Sequence, residues 1–414
     1  MKEKLFTRNF IYLILGEATS LIGNFTLKFA LSMYILEKTG SASIFANLLA
    51  LAMIPTIILL PFGGILADRA NRKHIMVSLD ICSGISVLIA SFLLSTENDI
   101  AIIGILLIVL SILGAFETPT VQACIPQILC GDNILKGNTI INQISAITLF
   151  TTPFLGSILY TMFGIYPILY VTIACFFITA MFECFIQLEY QKGKETTSLI
   201  QIVKDDFIIS MKFICQEQRY LLHMLLLVAI ISLFVAGTTI VGFPYFIRTV
   251  LGLSAKHYGI AESALGIAVI LGSMSVGLLS KKISTNNLYL FFIALGIFLM
   301  PSGIVLLLPT HTFIKYIVLI VAFCGCQMTC SMFSIFAISI IQERTPQNLT
   351  GKIMAYAVSI SMCTQPIGEI IYGMFFDRFA NNVSLVLIPS SIIICMIGVV
   401  SIKVFKAMDI QSNK

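Results

Sequence analysis

The sequence predicts an all-α membrane protein of twelve transmembrane helices arranged as two pseudo-symmetric six-helix bundles. Three observations carry that expectation. The 414 residues are 58% hydrophobic and only 11% charged, with a mean hydropathy of +1.00, which leaves too little polar surface to cover a water-soluble globule of this size. The apolar residues fall into twelve runs of roughly 20 residues or more, the length that crosses a hydrocarbon core. Landmarks also repeat at one offset: Gly277-Leu278-Leu279-Ser280-Lys281-Lys282 stands 213 residues after Gly64, which opens a similar polar break, and Pro366 stands 213 residues after Pro153. Duplication of this kind in a polytopic membrane chain points to transport.

The spans follow in order. The first (10–36) carries Glu17, Asn24 and Lys28, seven and four residues apart and therefore on one helix face. The second (42–67) ends in the polar break Gly64 to Lys73, and the third (74–95) holds Asp80. Glu117 lies in the fourth (99–123), Thr152-Pro153-Phe154-Leu155-Gly156-Ser157 in the fifth (138–163) and Glu183 in the sixth (166–188). A polar interval then divides the chain into bundles 1–189 and 220–414, with 190–219 as a cytoplasmic linker. Within it, 199–214 has apolar residues at helical spacing and reads equally as an amphipathic surface helix or a solvated linker. The second bundle runs 220–247, 257–280 with Glu262, 288–308, 313–341 with Cys326, Gln327 and Ser331, 351–377 with Ser361, Gln365, Glu369 and Tyr372, and 383–405.

The formal net charge of +5 is explained by its distribution. Of the 25 Lys and Arg, five (Lys38, Arg248, Lys256, Lys315, Arg378) fall in external loops and Lys28 in a span, which leaves 19 on the cytoplasmic side. This is the positive-inside pattern, with both termini cytoplasmic, and it removes any need for a nucleic-acid partner. The N-terminal apolar run is longer than a signal-peptide core and lacks a small-residue cleavage site. Single-cysteine labelling checks this topology: Lys194→Cys is expected to react only with reagents that reach the cytoplasm, and His311→Cys with impermeant external ones. External reactivity at position 194 would overturn it.

Gly64-x-x-x-Asp68-Arg69-x-x-Arg72-Lys73 concentrates charge at the expected cytoplasmic edge. Gly64 is placed to let two helices approach, and a carboxylate such as Asp68 can cap another helix, opposing its positive end. Positive-inside charge accounts for Arg72 and Lys73 but not for an Asp four residues after a Gly. This stretch resembles the loop 2–3 signature of the major facilitator superfamily, with Asn71 in place of the usual second Gly, a residue that tolerates a left-handed turn. Pro153 and Gly156 resemble the family's antiporter packing motif, and Ile125-Pro126-Gln127 through Asn138 and Asn142, with Glu262-Ser263-Ala264-Leu265-Gly266, resemble its macrolide-efflux branch of drug:proton antiporters. The resemblance implies two rocking six-helix halves, neighbouring helices 1 and 4, and export of amphipathic or lipophilic molecules in exchange for protons. Partners would be a small-molecule substrate, protons and the lipid bilayer, with the chain acting as a monomer in a bacterial plasma membrane.

Charges inside spans cost a few kcal/mol each and need a reason to persist. Glu17 and Glu117 each lie about seven residues, or roughly 10 Å, from the cytoplasmic end of their helices. Two carboxylates meeting in a poorly hydrated cavity cannot both stay ionised, which makes Glu117 and Glu17 the proton-coupling candidates. Glu369 is a third, and it shares a depth with Lys28, so the two can pair. Asn24, Lys28, Gln327 and Gln365 are candidate cavity residues, joined by Cys326 and Ser331. Asp80, Glu183 and Glu262 lie near span ends and read as structural.

Other classes find less support. Cys324, Cys326 and Cys330 cluster within a span without His or acidic neighbours, so no metal or other cofactor is expected, nor is a disulfide framework from the 11 cysteines. A membrane-embedded enzyme would pair a His with an acid or a metal, but His74, His223, His257 and His311 stand far apart near span ends. A non-transporting sensor remains the alternative from another class, and export of a metabolite or siderophore the alternative within transport.

Overall fold

A computed structural model describes residues 5–94, 98–188, 219–279, 285–345 and 347–412. The linker, with its proposed surface helix at 199–214, and the charged end of the Gly277 echo lie outside those residues. The described chain is helical throughout apart from short turns, with twelve long helices: α1 (Arg8–Thr39), α2 (Ala42–Arg69), α3 (Arg72–Leu93), α4 (Asp99–Ile128), α5 (Asp132–Phe163), α6 (Ile165–Cys184), α7 (219–250), α8 (Ala255–Leu279), α9 (Tyr289–Leu307), α10 (Thr312–Arg344), α11 (Gln347–Arg378) and α12 (Ser384–Ser412). Eleven of these contain segments long and apolar enough to cross a membrane. The remaining one, α11, is 32 residues long and carries the polar positions Gln365, Glu369 and Asp377.

The described residues form two compact units. One gathers α1, α2 from Leu48 onward, α3 to α6 and the Ser254–Ser263 start of α8; the other gathers Gly40–Asn47, α7, α8 from Ala264 and α9 to α12. In the first unit α1 is central. Small residues bring α6 against it: Gly16 meets Thr179 and Gly23 meets Cys175, while Thr179 Oγ1 donates to Gly16 O at 3.2 Å and Thr172 Oγ1 to Gly23 O at 3.4 Å. Without a solvent-driven force between helices in lipid, such close backbone approach and interhelical hydrogen bonds supply the association. On another side Gly156 of α5 lies against Phe29 and Thr26. An apolar cluster of Phe10, Leu13, Met76, Val121, Cys124, Ile125, Leu129 and Ile186 closes one end of this unit.

In the second unit α7 is composite, an α segment Arg219–Val235 followed by π-helical turns at Ala236–Gly242 and Phe246–Val250 around Phe243–Tyr245. Its core is aromatic, with Phe292 edge-on to Phe333 at 5.2 Å and both buried with Phe291 and Phe405. The first turn of α2 belongs here because Asp377, at the end of α11, caps it. Asp377 accepts from Ala42 N at 2.7 Å, Ser43 N at 3.0 Å and Ser41 Oγ at 2.5 Å. Gly373, one turn earlier, makes room: a Cβ there would stand 2.6 Å from Ala46 Cβ.

The polar break after α2 differs from the expected loop. Gly64, Asp68 and Arg69 lie within the last turns of α2, and only Ala70 and Asn71 separate it from α3. The close approach expected of Gly64 is made by Gly63, whose Cβ would fall 2.3 Å from Ala115 O and 3.0 Å from Pro119 Cγ of α4, while a Cβ on Gly64 would meet nothing within 4 Å among the described residues. Nor does Asn71 adopt a left-handed turn. With φ −71° and ψ 108° it is the N-cap of α3, its side chain accepting from Lys73 N at 3.1 Å, a role for which Asn is among the best residues.

Candidate substrate and proton site

The first unit encloses a cavity of about 580 Å³, lined by α1, α4 and α5 with single contributions from α2 and α3. The polar part of its α1 wall is Glu17, Ser20, Asn24 and Lys28, positions three to four residues apart that recur on one face of a helix. The expected alignment of Glu17, Asn24 and Lys28 is therefore present, with Ser20 between them. Ser20 is the residue that sequence reasoning passed over, although its register with Glu17 was readable. Its Oγ donates to Glu117 Oε1 at 3.1 Å, while Asn24 Nδ2 donates to Ser20 O at 3.2 Å. Glu117 is thus fixed across the α1–α4 contact. Glu117 is close enough for its charge to act on Glu17, and Lys28, whose side chain is exposed to the cavity, acts on Glu117 with opposite sign.

Local sequence explains why α4 presents Glu117 there. Pro119 and Pro126 stand inside α4, and each removes a backbone donor one turn later than the carbonyl it would have satisfied. The α2 backbone at Gly63 packs at the Pro119 interruption. Near Pro126, Arg72 clamps two helices by donating from Nε to Ala67 O at 2.7 Å and from Nη1 to Ala123 O at 2.8 Å. Arg72 is therefore an anchor of the α2–α3 corner to α4. Lys73 contributes its capped backbone amide, and the side chains of Asp68 and Arg69 lie outside the described residues.

The remaining candidates sit in the second unit. Glu369 is buried and accepts from Gln365 Nε2 at 3.4 Å, and one turn on Tyr372 OH donates to Ser390 Oγ at 2.6 Å. Gln327 is half-buried on α10. Cys326 does not share a cavity-facing role, since it is buried with Sγ toward Leu295 O of α9 at 3.7 Å. Ser331 likewise turns to α8, 2.9 Å from Ser273 Oγ. No group of three or more His, Cys, Asp or Glu among the described residues is arranged to hold a metal ion.

This architecture has known counterparts. The chain is 26% identical over 391 residues to macrolide efflux protein A of Streptococcus pyogenes, covering 92% of each, and 24% identical over 339 residues to macrolide efflux protein A of Enterococcus faecalis, covering 80% of this chain and 99% of the other. Among solved structures it is similar to a nucleoside transporter, NupG (TM-score 0.76, 13% identity, 96% and 99% covered), and to a D-xylose-proton symporter (TM-score 0.69, 13% identity, 94% and 96% covered). At such identities the likeness is one of fold. The Major Facilitator Superfamily model matches residues 13–369, and with its twelve long helices, its duplicated landmarks and its α2–α3 signature, this chain belongs to that superfamily of small-molecule transporters.

Proposed function

We propose that this chain exports amphipathic or lipophilic molecules of the macrolide kind from a bacterial cell, across the plasma membrane, by exchange for protons. The observation that carries the reading is the placement of Glu117, a carboxylate in a span, on the wall of a cavity of about 580 Å³, held by Ser20 and flanked by Glu17 and Lys28. A pocket of that size suits a drug-sized ligand, with a few polar groups to orient it. Ionised Glu117 balances the Lys28 ammonium. Once it takes a proton, that attraction is lost and the repulsion from Glu17 is relieved, so the charge state of the cavity changes with one proton. Bilobal alternation then carries the proton inward and the substrate outward, with the α2–α3 corner acting as a gate. The macrolide efflux for which the two relatives are named supports the substrate class.

Inverted vesicles holding the purified chain test this directly. With the interior made acid, a macrolide added outside should accumulate, and dissipating the gradient should release it. Accumulation that ignores the pH gradient, or none for any macrolide, would overturn the reading.

A further inference from the structure

Behind the wall of the cavity, Asp80 of α3 and Glu183 of α6 face each other, 0% and 3% exposed, with their carboxyl groups within hydrogen-bonding reach. Among the described residues, no amide, hydroxyl or cationic donor reaches either Asp80 oxygen or Glu183 Oε2. Two carboxylates offer only acceptors, so a hydrogen bond between them requires that one keeps its proton. Unpaired, two buried negative charges would be costly enough that the site takes up a proton rather than stay empty.

The surroundings direct where that proton can go. Glu183 Cγ lies 3.7 Å from where a Gly16 Cβ would stand, directly before Glu17, and Ser83, one turn along α3 from Asp80, lines the cavity. On the other side each helix carries an apolar residue one to two turns away: Met76 on α3, Leu13 on α1, Cys124 on α4 and Ile186 beyond α6, all within 1% exposure. The pair is thus closed toward the end read as cytoplasmic and adjoins the cavity acids. The titratable groups facing it are Glu17 from α1 and Glu117 and Cys124 from α4. Arg72, a cation of the same unit, is engaged with carbonyls.

We infer that Asp80 and Glu183 form a second proton-holding site, a carboxyl pair sharing one proton, which exchanges it with Glu17 and Glu117 during transport. Only O–H bonds change: the pair releases its proton to the closed side when that side opens and is refilled by a protonated cavity carboxyl, which is the inward direction of the proposed exchange. The inference rests on the proton-exchange reading and adds two residues to it.

Asp80→Asn is the informative variant, because the amide can donate to Glu183 and so keeps the packing while removing the shared proton. Purified wild type is expected to show, by infrared spectroscopy at neutral pH, a protonated-carboxyl C=O band that shifts in D2O and is missing a component in Asp80→Asn and in Glu183→Gln, but retains that component in Glu117→Gln. In vesicles both variants should lose the gradient-driven part of accumulation and keep gradient-free substrate exchange, which also certifies their fold. If Asp80→Asn does not fold, Glu183→Gln decides by the same readouts. An unchanged band, or full gradient-driven accumulation by a folded variant, overturns the pair. Loss of coupling in Asp80→Asn with retention in Glu117→Gln would instead leave the pair standing and remove Glu117 as the coupling residue, whereas absence of any pH-driven transport in wild type would remove the proton reading itself.

Discussion

Glu117→Gln is expected to abolish the dependence of transport on the pH gradient while leaving substrate binding and downhill exchange in place. The amide keeps the oxygen that accepts from Ser20 Oγ across the α1–α4 contact, so the helix packing survives. What is lost is the ability to cycle between charged and neutral forms opposite Lys28, and a permanently neutral group resembles the protonated acid. Glu17→Gln should give a milder defect of the same kind. Because interacting carboxyls titrate as a unit, the double variant should be little worse than Glu117→Gln alone. The measurement is accumulation in inverted vesicles with and without an imposed gradient, beside substrate exchange without one. Gradient-driven accumulation at the wild-type level in Glu117→Gln would sink the assignment and move the search to Glu369.

Asp68→Asn should remove most transport without affecting insertion or yield. The corner that presents Asp68 is rigid: Arg72 ties the carbonyls of Ala67 and Ala123 together, and Asn71 caps α3. A carboxylate that faces the positive end of another helix contributes up to about 2 kcal/mol through its charge, which amidation removes, and that shifts a two-state balance by a factor of up to roughly 30. Initial rates of efflux should therefore fall by about that factor, with equilibrium substrate binding little changed. Efflux near the normal rate from Asp68→Asn would remove the gate argument.

Much of this was legible in the chain before any coordinates. Hydropathy marks the helices because the bilayer demands satisfied backbone groups over a fixed thickness, and the α1 face follows from the seven- and four-residue spacings of Glu17, Asn24 and Lys28. Depth counting brought Glu117 near Glu17 only through the family's helix neighbours. Side-chain direction was harder. Gly63 and Gly64 are adjacent, and nothing in the sequence says which of two neighbouring positions faces α4 until Pro119 is seen against it. Asp80 and Glu183 read as structural because each is near the end of a span and the two residues are 103 apart in the chain; burial depends on Met76 and Ile186 covering them, which is a tertiary fact. Asp377 carried an unread signal: an acid in the last turn of a helix opposes that helix's own dipole, so it belongs with the start of another.

That cap has a mechanical consequence. The 28 residues of α2 make a rod of about 42 Å, pinned at its first turn by Asp377 and ending at Asp68. Pro55 stands at the middle of that rod and removes one of its backbone donors, which gives α2 a place to bend. The Asp377 cap therefore fixes the first turn without fixing the far end, and α2 works as a jointed lever rather than a rigid strut.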